Sequence, residues 1–142
     1  MGTGSTLQSD AAILRGKRVV VIEDESVANL QMRRALSNAG MHTIGVVCNG
    51  RDGAELVLRE RPDVVVLDIT MPGDIDGLDA AARILSTYRV CILVVTGYNS
   101  DEYRWRAQDI GVAGYIVKPV PGKLLVAELA RTYRDWLNNQ RF

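Results

Sequence analysis

Five short runs of apolar residues recur along the chain, separated by longer and more polar stretches. Valine and isoleucine dominate these runs, and such β-branched residues favour strands. Several runs are apolar at every position, which indicates strands buried on both faces of a parallel sheet. The pattern predicts strands at residues 19–22, 43–47, 64–67, 90–95 and 114–117.

The stretches between these runs carry apolar residues at helical spacing. The first stretch contains Met32 and Leu36 and stops at Gly40, a residue type that suits the left-handed position just past a helix end. Asp24 or Ser26 could cap this helix, and Asp101 could cap the fourth. Helices are predicted from about 28 to 39, around 54 to 58, and at 78–85, 101–110 and 122–137.

Alternation of strands and helices predicts an α/β fold with a parallel sheet covered on both faces. Right-handed crossovers favour a flavodoxin-like, doubly wound, five-stranded sheet of order 2-1-3-4-5 with five helices. The 142 residues fit one domain, predicted at 14–142. A leader at 1–13, whose first ten residues are small and polar, precedes it, and we expect this leader to be flexible.

The composition and charge of the chain argue against nucleic-acid binding and against a membrane-spanning segment. Lys+Arg and Asp+Glu each number 17, so the chain lacks the basic excess typical of nucleic-acid binding. No apolar run approaches the roughly 20 residues of a membrane span. We therefore expect a cytoplasmic protein without direct nucleic-acid or membrane contacts. Cys48 and Cys91 are predicted to be reduced core residues, His42 to be non-catalytic and Trp136 to serve packing.

Polar residues follow four of the predicted strands, at the edge where open α/β sheets bind ligands. Glu23 and Asp24 follow the first strand and Asp68 follows the third. Carboxylates that converge repel each other, and a hard divalent cation would offset that repulsion. The sequence therefore predicts a Mg²⁺ (or Mn²⁺) site. Its protein ligands would be Asp24 and Asp68 directly, Glu23 through water, and the backbone carbonyl of Thr70.

Thr96 and Lys118 follow the fourth and fifth strands at the same edge. The ammonium of Lys118 can pair with Asp68 and later with a phosphoryl oxygen, and the Thr96 hydroxyl can bond another such oxygen. Together with a metal these groups suit phosphoryl transfer, with the aspartate as nucleophile. Taken singly, each residue has a plain structural explanation, and it is their coincidence at one edge that favours a site.

This set resembles the receiver domain of two-component response regulators, over about residues 14 to 137. The resemblance rests on Glu23, Asp24, Asp68, Thr96, Tyr115 and the pair Lys118-Pro119. It implies that Asp68 is the phosphoacceptor and that the two preceding acids bind the metal. It also implies that Lys118 contacts the phosphate, and that Thr96 and Tyr115 switch together on phosphorylation.

The chain departs from the family pattern in one loop, where Gly73, Asp74 and Ile75 separate Pro72 from Asp76. Receivers commonly have two residues at this point, so the loop is one residue longer. The resemblance also makes Thr70 and Tyr98 the positions that tune dephosphorylation. Because a bulky Tyr98 could shield the phosphate from water, we expect a long-lived phosphorylated state.

The resemblance implies a histidine kinase or histidine phosphotransfer protein as phosphodonor and a downstream protein as target. The output would be altered protein binding on the face of the fourth helix, fifth strand and fifth helix, by a monomer or weak dimer that catalyses only its own phosphorylation and dephosphorylation. Exposed aromatic and arginine side chains are enriched in binding hot spots, so a partner surface is predicted at Tyr103, Arg104, Trp105 and Arg106.

Other functions remain open at this point. A receiver-like scaffold that is never phosphorylated would keep the fold without the chemistry. A Mg²⁺-dependent phosphatase with an aspartate nucleophile normally needs an acid two residues after it, where this chain has Thr70. A flavodoxin-like cofactor binder needs a phosphate loop after the first strand, where Glu23, Asp24 and Glu25 would repel phosphate.

Overall fold

The computed structural model describes residues 11–140, and within them the apolar runs form a parallel sheet. The strands are β1 (Arg18–Ile22), β2 (His42–Val47), β3 (Val64–Leu67), β4 (Cys91–Thr96) and β5 (Gly114–Val117). The helices are α1 (Ser26–Asn38), α2 (Gly50–Glu60), α3 (Gly77–Leu85), α4 (Asp101–Ile110) and α5 (Gly122–Asn139), and a short 3₁₀ turn at Ala12–Leu14 precedes β1.

The sheet order is β2-β1-β3-β4-β5, with every neighbouring pair parallel. This confirms the predicted flavodoxin-like topology. The three inner strands β1, β3 and β4 are almost wholly buried, as their uninterrupted apolar sequences require, whereas the edge strands β2 and β5 are only half-buried.

Alternating residues of the inner strands pack into two core layers, one on each face of the sheet. One layer joins the strands to α2, α3 and α4 through residues such as Val57, Ile84 and Ala107. The other joins them to α1 and α5 through residues such as Leu36 and Leu129. Among the described helices, none is long and apolar enough to cross a bilayer.

The predicted leader falls mostly on residues 1–10, which lie outside the described residues, as do 141 and 142 at the end of the predicted domain. The described start of the chain packs against the domain. Leu14, in the 3₁₀ turn, is fully buried in the layer of α1 and α5, and Ile13 packs against that layer.

Three local expectations need correction. The α4 cap is Ser100, whose hydroxyl accepts a hydrogen bond from the Tyr103 N–H, and not Asp101. The cap position of α1 is Glu25, which makes no side-chain cap bond, instead of Asp24 or Ser26. Cys48 is exposed because β2 ends at Val47 on the sheet edge, while Cys91 is buried as predicted.

Candidate functional site

Asp68 stands at the point where the rigid β3 strand stops. Its N–H donates to the Ile22 carbonyl at 3.0 Å, so the ladder with β1 continues through its backbone. Behind it, the Gly77 N–H donates to the Ile69 carbonyl at 2.7 Å. A Cβ on Gly77 would lie 1.8 Å from the Asp68 carbonyl oxygen, so α3 begins directly against the Asp68 backbone. Only 8% of Asp68 is exposed.

Lys118 brings the ends of three strands together. Its Nζ donates to Asp68 Oδ2 at 2.9 Å and also pairs with Glu23 Oε1. The Lys118 N–H donates to the Thr96 carbonyl at 2.8 Å, and the Lys118–Pro119 peptide is cis. The sequence prediction that Lys118 pairs with Asp68 agrees with this geometry, and the additional contact with Glu23 was not foreseen.

Burial and the two ion pairs shift the pKa values of Glu23 and Lys118. Burial raises the pKa of the Glu23 carboxyl, and the nearby Asp68 charge adds to this, while the Lys118 hydrogen bond offsets only part of it. Burial alone would lower the pKa of the Lys118 ammonium, but its hydrogen bonds to Glu23 and Asp68 outweigh burial and raise that pKa. Lys118 therefore stays charged at neutral pH between two acids.

The turn after β1 is held by a residue that sequence reasoning missed. The Asn29 side chain, on α1, donates from Nδ2 to the Glu23 carbonyl at 2.7 Å. The Asp24 N–H donates to Glu23 Oε2 at 3.0 Å. Glu23 is therefore fixed in a buried position, while Asp24 is exposed next to it. The Asn29 Oδ1 atom is buried without a hydrogen-bond partner.

The predicted metal ligands lie at one edge but do not form a closed cluster. In residues 11–140, no three acidic, histidine or cysteine side chains are arranged to hold a metal ion. The donor set nevertheless fits Mg²⁺, because it offers carboxylate oxygens, one of them on an exposed Asp24. The Thr70 N–H points to Asp68 Oδ1 at 3.4 Å. The metal site remains a prediction.

The predicted switch residues share one network beside this edge. Thr96 is fully buried, and its Oγ1 accepts from the Tyr98 N–H at 3.4 Å. The Tyr115 hydroxyl donates to the Tyr98 carbonyl. The Arg104 guanidinium lies 4.6 Å from the centroid of the Tyr115 ring. Thr96 and Tyr115 are thus connected through the backbone of a single residue.

Of the four residues of the predicted partner surface, some are exposed and others make contacts within the domain. Trp105 is 73% exposed, and the Arg104 side chain also donates from Nε to Asn99 Oδ1 at 3.0 Å. Tyr103 packs against the core, with its ring 5.2 Å from that of Tyr98. Arg106 pairs with Asp76 and Asp79 at the start of α3, so its guanidinium is engaged within the domain.

A groove of about 800 Å³ lies apart from this edge, over β5, between α5 and the segments around the end of α4 and the start of β4. Its floor includes Gly114 and Ile116, and its walls include Ile110 and Trp136. Trp136 stacks on Tyr133 with ring centroids 6.2 Å apart, which agrees with its predicted packing role. None of the strand-end carboxylates lines the groove.

Comparisons with known proteins agree with this geometry. Residues 19–130 match the model of the response regulator receiver domain. The transcriptional regulatory protein PdtaR of Mycobacterium tuberculosis is 36% identical over 117 residues, 82% of this chain and 56% of PdtaR. AfsQ1 of Streptomyces coelicolor, also named a transcriptional regulatory protein, is 33% identical over 116 residues, 82% of this chain and 51% of AfsQ1. The chain thus spans about half the length of these curated relatives.

Solved structures show the same fold. The signal receiver domain of a modulated diguanylate cyclase from Desulfovibrio desulfuricans superposes with a TM-score of 0.80 at 27% identity, over 87% of this chain and 98% of that one. The BeF3-activated N-terminal receiver domain of RstA from Klebsiella pneumoniae gives a TM-score of 0.75 at 28% identity, over 82% of this chain and 98% of that one.

Proposed function

Since the chain belongs to the response regulator receiver-domain family, we propose that it accepts a phosphoryl group on Asp68 and changes its protein contacts in response. The donor would be a phosphohistidine on a histidine kinase or phosphotransfer protein. Receiver domains of this kind are signalling modules that act with kinases and downstream targets, and the phosphorylation chemistry of this chain is the part that we propose.

One observation carries the proposal: the Lys118 ammonium lies between Glu23 and Asp68. These residues follow three different strands, β1, β3 and β5. A lysine without a role in the site could have its ammonium hydrated at the surface, so its placement between two acids favours a functional role. An ammonium held against a strand-end aspartate is placed to meet the negative charge of an incoming phosphoryl group. Charge neutralisation and positioning are the main contributions that a protein makes to this chemistry.

In the proposed reaction, a carboxylate oxygen of Asp68 attacks the phosphorus of a phosphoimidazole. The O–P bond forms, the P–N bond breaks, and the leaving imidazole nitrogen keeps the bond's electron pair and takes a proton from water. The product is an aspartyl phosphate. Lys118 would stay within reach of the phosphoryl oxygens, and the Thr96 hydroxyl would move towards them, because its present contact with the Tyr98 N–H is long at 3.4 Å.

Asp24, Asp68 and the Thr70 carbonyl would hold Mg²⁺, with Glu23 reaching it through water. When bound, the ion would neutralise charge on the transferring phosphoryl group. Glu23 and Asp68 share the single ammonium of Lys118, so a further cation at this edge would offset the negative charge that remains, which supports this assignment.

The output would be exerted through the face formed by α4, β5 and α5. Phosphorylation replaces the single negative charge of the Asp68 carboxylate by a phosphoryl group that carries about −1.5 to −2 charges. Hydrogen bonds through the Tyr98 backbone connect Thr96 to Tyr115 on β5, and the Arg104 guanidinium over the Tyr115 ring extends this connection to α4. The groove over β5 and, outside that groove, the exposed Trp105 of α4 are the candidate protein contacts of this domain. We propose a protein target and no direct nucleic-acid contact by this domain.

The proposal is tested by intact mass spectrometry after incubation with acetyl phosphate and Mg²⁺. The wild type should gain one phosphoryl group, and Asp68→Asn should not. EDTA should abolish the adduct. An adduct that persists in Asp68→Asn would place the acceptor elsewhere. Absence of any adduct in the wild type, with Mg²⁺ present, would instead favour an unphosphorylated scaffold.

A further inference from the structure

The start of α3 is a negatively charged cap built from two aspartates. The Asp79 N–H donates to Asp76 Oδ1 at 2.7 Å, and the Asp76 N–H donates to Asp79 Oδ2 at 3.0 Å. This reciprocal cap satisfies two N–H groups and lies at the positive end of the helix dipole. It also holds two carboxylates side by side, and their mutual repulsion has to be offset.

Arg106, on α4, supplies the positive charge that offsets this repulsion. From α4, its Nη1 donates to Asp76 Oδ2 at 2.8 Å and its Nη2 to Asp76 Oδ1 at 3.3 Å, while Nη2 also pairs with Asp79. The side chain of Arg106 is 37% exposed and that of Asp76 is 32% exposed. Such a bidentate contact fixes the orientation of the Asp76 carboxylate as well as neutralising its charge. A lysine ammonium could neutralise the charge but could not make the bidentate contact.

The cap is in direct contact with the backbone of the phosphoacceptor. Gly77 follows Asp76 and packs so closely on the Asp68 carbonyl that no side chain would fit there. Its N–H also bonds to the Ile69 carbonyl at 2.7 Å. Any shift of Asp76 is therefore passed through one peptide unit to the backbone that presents Asp68.

We propose that Arg106 is a positioning residue for Asp68, because it ties α4 to the α3 cap and the cap holds the phosphoacceptor backbone. This rests on the proposed function only in naming Asp68 the acceptor. The consequence is a mechanical connection between α4 and the phosphorylation site that is separate from the Thr96–Tyr98–Tyr115 network.

The test compares Arg106→Gln with Arg51→Gln. Arg51, on α2, pairs with Asp74 in the loop that precedes α3. This ion pair is more exposed than that of Arg106 and does not include either aspartate of the α3 cap, so Arg51→Gln serves as a matched control. Two quantities are measured in the full chain: the maximal rate of phosphorylation by acetyl phosphate, and NMR-detected hydrogen exchange of the Gly77 amide.

In Arg106→Gln the maximal rate should fall about fivefold, a size typical of losing one coupled, charge-assisted contact. The acetyl phosphate concentration that gives half the maximal rate should stay unchanged, because Arg106 is not proposed to touch the donor. The Gly77 amide should exchange faster. Arg106→Lys should show a smaller fall in rate and a smaller increase in Gly77 exchange than Arg106→Gln. Arg51→Gln should show neither change.

The inference is overturned if Arg106→Gln and Arg51→Gln agree within about twofold in rate and in Gly77 exchange, or if the rate falls while Gly77 exchange is unchanged. Additive effects of Arg106→Gln and Asp76→Asn on Gly77 exchange would also overturn it. If the wild type accepts no phosphoryl group, the proposed function fails, and the Gly77 exchange still decides whether Arg106 positions this backbone.

Discussion

Lys118 Nζ lies 2.9 Å from Asp68 Oδ2, although the two residues are 50 positions apart in the chain. Their meeting depends on β5 and β3 ending at the same edge of the sheet with β4 between them. The same ammonium pairs with Glu23 at the end of β1. One ammonium thus offsets part of the repulsion between two acids in a nearly buried site.

Replacing Lys118 by Ala should lower the rate of Asp68 phosphorylation on the order of a hundredfold, the size found when one charge-stabilising donor is removed from a transition state. The measurement is the initial rate of adduct formation by intact mass. Lys123→Ala, an exposed lysine at the start of α5, is the matched control and should react like the wild type. Equal rates for the two variants would remove Lys118 from the proposed chemistry.

The Asp76–Arg106 pair should make stability depend on pH in the acid range. Burial by itself would raise the pKa of the Asp76 carboxyl, but the bond from Arg106 and the backbone bond from Asp79 prevail and lower it from 3.8. The folded state therefore gains stability from ionised Asp76 above pH 3.8, and loses it as pH falls through the lower, folded-state pKa.

This contribution is checked by denaturant unfolding of the wild type and Asp76→Asn at a series of acidic pH values. The difference in the free energy of unfolding between the two proteins should be largest above pH 3.8 and should shrink as the pH is lowered. A difference that is constant across this range would show that Asp76 acts as a neutral cap, without its ion pair.

Gly77→Ala should destabilise the protein by about 3 kcal/mol, at the upper end for forced overpacking. The added Cβ would lie 1.8 Å from the Asp68 carbonyl oxygen, and a backbone atom cannot move aside as a flexible side chain can. Gly97→Ala is the control for stability, because a Cβ there meets nothing within 4 Å. Denaturant midpoints compare the two, and similar midpoints would contradict the close packing of α3 on Asp68.

Tyr98→Ala should shorten the lifetime of the aspartyl phosphate several-fold if the ring shields it from water. Tyr98 is 45% exposed, and its ring rests on that of Tyr103, which limits how far it can swing away. Tyr98→Phe keeps the ring and should retain the long lifetime. Loss of the mass adduct with time, after removal of acetyl phosphate, gives the half-life. A half-life in Tyr98→Ala close to that of the wild type would exclude shielding.

The strands and the site edge could be predicted because they depend on local sequence. Uninterrupted apolar runs rich in β-branched residues are typical of strands covered on both faces of a parallel sheet, and the residue after each such strand then lies at the carboxyl edge, where ligands bind. Asp68 and Lys118 were located in this way. Even the α3 cap has a local signal, since Asp76 and Asp79 stand at capping spacing.

Other contacts depend on tertiary packing that no local pattern contains. Arg106 reaches Asp76 across 30 residues, and its position on α4 gave equal reason to expect a surface role. Asn29 supports the Glu23 carbonyl because α1 folds back over the end of β1. Cys48 looked like a core residue because it continues an apolar run, but it lies just past the end of an edge strand.

Arg104 should hold the pKa of the Tyr115 hydroxyl down. Burial raises that pKa above 10.0, and the guanidinium, 4.6 Å from the ring centroid, opposes the rise because it favours the phenolate. Arg104→Ala should therefore raise the Tyr115 pKa further. It should also lower stability by about 0.5–1 kcal/mol through loss of the cation–π contact.

Ultraviolet titration checks this shift, with Tyr115→Phe identifying which part of the tyrosine signal belongs to Tyr115. Arg104→Lys, which keeps a positive charge, should raise the pKa less than Arg104→Ala. Because the proton is held more tightly in the folded state, the stability that protonated Tyr115 contributes is present below pH 10.0 and is lost as pH rises through the folded-state pKa. An unchanged titration in Arg104→Ala would mean that the guanidinium does not act on the switch tyrosine, and that Tyr115 is held by its hydrogen bond to the Tyr98 carbonyl alone.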